Sequence, residues 1–157
     1  MTYTGDEVPV EMNWVEMNAV TPVKNQGQCG SCWTFSATGA IEGAWAISEQ
    51  DLIDLSEQEL VDCATGFKYG SHGCNGGQMD GAFQFVIDNG QCTDDAYPYV
   101  SGETKTSESC IKDCNYSIKT LIEKVHFNNN KPENMNIYIS SIKGNYVMVY
   151  KNQQWQN

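Results

Sequence analysis

The stretch Gln26-Gly27-Gln28-Cys29-Gly30-Ser31-Cys32-Trp33 concentrates the chemistry of this 157-residue chain. A thiol attacks as its thiolate, and a free cysteine side chain is mostly protonated at neutral pH. From Ser31 towards Ile47, the residues Trp33, Ala37, Ala40, Ile41, Ala44 and Trp45 recur at spacings of three and four. That pattern predicts a helix with a buried stripe. Cys32 then falls in the first turn, where unpaired amides and the helix dipole favour negative charge. Gln26 lies upstream with a side-chain amide that could donate to an oxyanion on an attacked carbonyl. Such a donor is typically worth about 10²–10³ in rate. The backbone amide of Cys32 would complete the pair. Read alone, Cys29-x-x-Cys32 also fits a redox pair or half of a zinc site, but no second Cys-x-x-Cys or histidine pair stands at ligand spacing.

Two further helices follow. Ser56-Glu57-Gln58-Glu59 is a capping box in which Ser56 can accept from the Glu59 amide, and the helix continues through Leu60 and Val61 to Cys63, ending by Gly66. In the next, Met79, Ala82, Phe83 and Val86 form one stripe and Gly90 is the stop. Composition changes near residue 114. Residues 1–114 hold 13 of the 14 glycines, and the remaining residues are rich in asparagine. Residues 1–100 carry 15 acids against Lys24 and Lys68, whereas residues 101–157 carry 5 acids against 7 lysines. The expected organisation is a lobe over 1–114 and an unassigned tail over 115–157. Within the tail, Ile137 to Ile142 and Tyr146 to Tyr150 are β-prone runs joined by Lys143-Gly144-Asn145, in the pattern of a hairpin.

The net charge is −11 and arginine is absent, which argues against nucleic-acid binding. The apolar runs are too short and interrupted to span a membrane. No basic start or apolar stretch at Met1–Glu7 marks a signal peptide, so if the protein is exported its address is expected to lie upstream. Seven cysteines point to an oxidising environment. The odd count leaves at least one thiol without an internal partner, and three bridges plus one free cysteine is the simplest arithmetic.

Cys29-Gly30-Ser31-Cys32-Trp33 resembles the Cys-Gly-Ser/Ala-Cys-Trp/Tyr signature of the papain-like cysteine proteases. Val8-Pro9, Asn13-Trp14 and Val20-Thr21-Pro22-Val23-Lys24-Asn25-Gln26-Gly27 are similar to the same family upstream. Leu55 to Cys63, Gly73-Cys74-Asn75-Gly76-Gly77 and Tyr97-Pro98-Tyr99 match downstream, and Gln78-Met79-Asp80-Gly81-Ala82-Phe83 is similar to the cathepsin-L branch. The motifs cover residues 8–110 in order. The resemblance implies an α+β papain-like fold, represented here mainly by its helical lobe, with the β-rich lobe truncated or missing. It implies peptide-bond hydrolysis through a thioester on Cys32, with Gln26 as oxyanion donor and no cofactor or metal. Gly30, Trp33, Gly76, Gly77, Gln78 and Met79 would meet an extended polypeptide, Gly76 and Gly77 through backbone hydrogen bonds and Met79 in the main apolar pocket. Gly76-Gly77 as a plain turn and Met79 as core filling are the competing readings. The implied bridges are Cys29–Cys74 and Cys63–Cys110, which leave Cys92 and Cys114 to pair with each other. A lysosome-like vesicle or secretion is the implied compartment, and Asn115-Tyr116-Ser117 is a candidate glycosylation triplet.

Cysteine attack in this family uses a histidine oriented by an asparagine. They lie about 130–150 residues past the nucleophile, which places the histidine near ~162, beyond Asn157. Of the two histidines present, His72 reads as a solvated loop residue and His126 lies in the tail. The family's Asn-Ser-Trp-Gly motif is also absent, Trp155 standing between two glutamines. A truncated reading frame, a frameshift near residue 115 or a degenerate paralogue would each give this pattern. The expectation is an incomplete and inactive endopeptidase chain. A lone helical lobe would expose an apolar face suited to a separate β-rich lobe or a propeptide. The alternative expectation is a non-catalytic lobe that binds a peptide or partner.

Overall fold

The computed structural model describes residues 11–112, 114, 136–142 and 145–151. Its central element is α1, Cys32–Glu49. Trp33, Thr34, Phe35, Ala37, Thr38, Ala40, Glu42, Trp45 and Ala46 are all buried, so the helix is covered on more than one face. That wrapping suits a helix running through the middle of a lobe. It ends at Gln50, which takes a left-handed conformation.

Against α1 pack α2, Glu57–Cys63, and α3, Met79–Asn89. Ser56 caps α2 by accepting from the Glu59 amide at 3.0 Å. Only half of the capping box forms. The Ser56 amide donates to Cys92 O, and the Glu59 carboxylate turns away to accept from the Cys92 amide at 2.6 Å. α3 stops at Gly90, whose φ of 89° is costly for any residue with a Cβ. The shared core comprises Trp33, Ala37, Leu60, Ala64, Ala82, Phe85 and Val86. Phe85, rather than Phe83, is the fully buried aromatic of α3, and Phe83 packs at the edge of the core.

Two short elements complete the lobe. A single 3-10 turn spans Gly73–Asn75, and α4 spans Ser101–Thr104. Gln58, fully buried, fastens α4 to α2. Its Oε1 accepts from the Val100 and Ser101 amides at 2.9 Å each, and its Nε2 donates to Ser101 Oγ and Asp62 Oδ1. Isolated β-bridges join Leu55 to Thr93 and Gly66 to Ser71. Disulfides join Cys29 to Cys74, Cys63 to Cys110 and Cys92 to Cys114.

In the tail, β1, Asn136–Ile142, and β2, Asn145–Lys151, pair antiparallel, with Asn136 opposite Lys151 and Ile142 opposite Asn145. The Lys143-Gly144 corner, Val8-Pro9, the Asn115-Tyr116-Ser117 triplet, His126 and Trp155 lie outside the described residues.

Candidate active site

Cys32 is the first residue of α1, and it is exposed and free of any disulfide. Because Cys29 is bonded to Cys74, the Cys29-x-x-Cys32 spacing is neither a redox pair nor half of a zinc site. Of the other acid–sulfur clusters among the described residues, Glu59, Cys92 and Cys114 bring their ligand atoms within 4.8 Å. The two sulfurs there are joined to each other and offer no thiolate.

Ser31 occupies the N-cap position but makes no side-chain cap. Its backbone carbonyl accepts from the Thr34 amide at 2.8 Å and the Thr34 hydroxyl at 2.9 Å. Its hydroxyl turns to the Tyr99 phenol at 2.7 Å. The first-turn amides of Cys32 and Trp33 have no intrahelical acceptor, as at any helix start, and can face a developing negative charge. Gln26 sits half-buried on the preceding loop. Its Nε2 donates one proton to Cys29 O at 2.9 Å, and a primary amide has a second proton to give.

A second loop, residues 73–79, is fastened beside the nucleophile by three links. These are the Cys29–Cys74 disulfide, the Gly30 amide donating to Cys74 O at 2.9 Å, and the Trp33 indole N–H donating to Gly73 O at 3.2 Å. Trp33 is 2 % exposed, so the structure makes it a strut under the loop rather than a surface for a ligand. Gly30 has no room for a Cβ, which would strike Cys74 O. Gly76 has a φ of 104° and nothing within 4 Å of where a Cβ would sit, whereas a Cβ on Gly77 would come within 2.6 Å of the Trp33 ring. Gly77 is in no backbone hydrogen bond among the described residues, leaving an amide and a carbonyl for a passing chain. Gln78 is exposed and its amide donates to Ser71 Oγ at 3.2 Å. Met79, at the start of α3, is 39 % exposed and is therefore not core filling.

His72 lies on the same loop, exposed, with its amide donating to Gly76 O at 2.8 Å. No hydrogen bond joins its imidazole to Cys32 among the described residues. The structure thus brings an exposed thiol at a helix start, an amide donor held on the loop before it and a glycine-containing loop into one region.

Comparison with known proteins identifies the family. The family described as "Papain family cysteine protease" matches residues 8–156. The chain belongs to the papain family of cysteine proteases. The match runs on through the tail, which the motifs alone left unassigned. A cathepsin L-like protein of Caenorhabditis elegans is 51% identical over 116 residues, 73% of this chain and 32% of that one. A cathepsin L-like peptidase of Aedes aegypti is 57% identical over 94 residues, 59% of this chain and 27% of that one. Among solved structures, digestive procathepsin L 3 of Tenebrio molitor superposes with a TM-score of 0.62 at 42% identity, covering 75% of this chain and 37% of that one. A Carica candamarcensis cysteine protease gives 0.60 at 42% identity, covering 67% and 46%. The helical architecture between residues 11 and 112 is that of the helical part of these papain-like enzymes. The chain spans about a third or less of the length of these two curated relatives. Among the described residues, no helix is long and apolar enough to cross a membrane.

Motif reading missed two features around the site. One is Tyr99, quoted within Tyr97-Pro98-Tyr99 but given no role; its hydroxyl bonds both Ser31 and Gln26. The other is a buried charge cluster. Lys24 Nζ meets Glu42 at 3.2 Å, Glu57 at 2.8 Å and Asp54 at 2.5 Å, with Glu42 and Glu57 each 2 % exposed. Burial pulls the Lys24 ammonium down, but Glu42 and Glu57 outweigh it and hold it above its ordinary value. Burial pushes the Glu57 carboxyl up to about 8 against the pull of Lys24, because one ammonium serves several carboxylates. Glu42 is buried on α1 because its carboxylate accepts from the Thr21 hydroxyl, the Lys24 ammonium and the Leu55 amide, partners 13 to 21 residues away that local spacing does not reveal.

Proposed function

We propose that this chain carries the nucleophile-bearing lobe of a cathepsin-L-type cysteine endopeptidase. The observation that carries the reading is Cys32, the cysteine left unpaired and exposed, at the first turn of α1, with the Gln26 amide held on the carbonyl of Cys29, three residues before it. The Cys32 thiolate attacks a peptide carbonyl, and the oxyanion is held by Gln26 Nε2 and the Cys32 amide. The amine leaves with a proton, and water then releases the acyl group from the thioester. Substrate lies extended along Gly76 and Gly77, with Met79 and Gln78 lining successive side-chain pockets.

Both proton transfers need a general base. Among the described residues His72 is exposed and has no hydrogen bond to Cys32, and we read the chain as binding peptide and reacting with electrophiles while turning over little. The base and the opposite wall of the cleft would come from a β-rich lobe, and a propeptide would cover the groove before activation. Exposed Met12, Val15, Met17 and Val23 support such an association. The compartment of this reading is a lysosome-like vesicle or the exterior, in keeping with three disulfides.

A fluorogenic dipeptide amide tests it. Hydrolysis by the purified chain is expected to stay at background, and turnover abolished by Cys32→Ala would overturn the inactive reading. A second reading, a non-catalytic peptide-binding lobe, draws on the unengaged Gly77 backbone. Micromolar binding of an unreacting peptide together with a Cys32 thiol inert to alkylation would favour it.

A further inference from the structure

We propose that Tyr99 is a positioning residue whose single hydroxyl sets the spacing between the oxyanion donor and the nucleophile. The inference rests on the reading of Cys32 and Gln26 given above. The Tyr99 hydroxyl donates to Gln26 O at 2.8 Å. A carbonyl can only accept, so the Ser31 hydroxyl, 2.7 Å away, is the donor to the phenol oxygen. One oxygen therefore clasps the residue that carries the amide to the residue that precedes the nucleophile. Ser31 is fully buried, and its other oxygen contact, to Cys29 O, is long at 3.5 Å. Burial keeps the phenol above its ordinary value, so it remains a donor at any working pH.

The rest of the segment supports the same task. The Tyr99 ring meets Phe35 of α1 edge-on, with centroids 4.9 Å apart and planes at 79°. Phe35 lies one turn beyond Cys32, so the ring is keyed to the helix that presents the thiol. Gly27, with φ of 60°, lies so close to Gly102 that a Cβ would come within 2.7 Å of its backbone. The Gln28 amide donates to Gly102 O at 2.9 Å. Residues 99–102, themselves fastened by Gln58, form the template on which the 26–31 loop is laid. Tyr99 enters no step of the reaction. It acts through Gln26.

The test uses the full chain and a peptidyl aldehyde with an apolar side chain next to the terminal residue. Aldehyde addition forms the Cys32 S–C bond, breaks the carbonyl π bond and leaves the thiol proton on the former carbonyl oxygen, which needs the Gln26 donor. Alkylation by iodoacetamide displaces iodide and creates no such oxygen. Tyr99→Phe keeps the ring and removes both hydrogen bonds. It is expected to weaken aldehyde binding about 5- to 10-fold while changing the alkylation rate less than about twofold. Gln26→Ala is expected to show a similar loss, and the Gln26→Ala/Tyr99→Phe pair to be no worse than Gln26→Ala alone. Ser31→Ala, which removes the other side of the bridge, is expected to repeat the Tyr99→Phe pattern and carries the test if that variant does not fold.

Additive losses in the double variant would overturn the proposal, as would equal losses of aldehyde binding and alkylation, which mark a purely structural residue. Normal aldehyde binding by Tyr99→Phe alongside weakened binding by Gln26→Ala would overturn the positioning role and leave the oxyanion reading standing. Normal binding by Gln26→Ala, or no binding by the parent chain, would remove both.

Discussion

Gly76 and Gly77 stand side by side for different physical reasons. Gly76 has free space around it but a backbone, φ 104° and ψ 168°, that side chains avoid. Gly77 is pressed by the Trp33 ring and Ser71 Oγ, each 2.6 Å from where a Cβ would sit. Gly76→Ala is expected to cost about 1–3 kcal/mol in backbone strain. Gly77→Ala is expected to cost a similar amount, about 1–3 kcal/mol, by forcing Trp33 out of place. Urea unfolding of each variant checks both, and a midpoint equal to that of the parent would contradict the close packing. The pair of glycines was legible in sequence as a motif. The clash behind Gly77 was not, because Trp33 lies far away along the chain and only the folded loop brings them together.

At the scale of elements, helix starts were the most readable feature. Ser56 caps α2 as its spacing to Glu59 implies, and its hydroxyl also donates to Tyr97 O at 2.6 Å. Ser56→Ala is therefore expected to cost about 1–2 kcal/mol, the usual worth of a cap, with the Tyr97 carbonyl left short of a donor. Chemical denaturation measures it, and a loss under about 0.3 kcal/mol would show that the cap contributes nothing. Ser31 looks equivalent in sequence, yet its hydroxyl leaves the helix end for Tyr99. Local spacing identifies where a helix begins but not which long-range partner competes for the capping hydroxyl. The same limit explains α3, whose stripe pointed to Phe83 although packing against Trp33 and Leu60 buries Phe85 more deeply. Tyr97-Pro98-Tyr99 was recognisable as a motif, and its bonds to Gln26 and Ser31 became apparent only when the two segments met.

The whole lobe is tuned by buried carboxyls. Burial drives Glu59 from its ordinary 4.5 to about 7, opposed only by the Cys92 amide, and drives Glu57 to about 8. Between pH 4.5 and about 8 the folded lobe keeps protons that the unfolded chain has released, so stability falls as pH rises and levels off above that window. Lys24, raised above its ordinary value, stays charged throughout and does not alter the slope. The melting temperature is expected to be roughly 5–10 °C lower at pH 8 than at pH 5, with Glu59→Gln flattening part of the change. A melting temperature that rises over this range would contradict the assignment. Net acidity was legible in the composition, but which carboxyls lose their water was not. The central claim concerns Cys32, the cysteine outside the three bridges, and its most direct test is peptide mapping of the unreduced chain after brief exposure to iodoacetamide. The account predicts a single carbamidomethyl group, on Cys32, formed more slowly when an extended peptide occupies the groove. An unlabelled Cys32, or labelling at one of the six bridged positions instead, would contradict it.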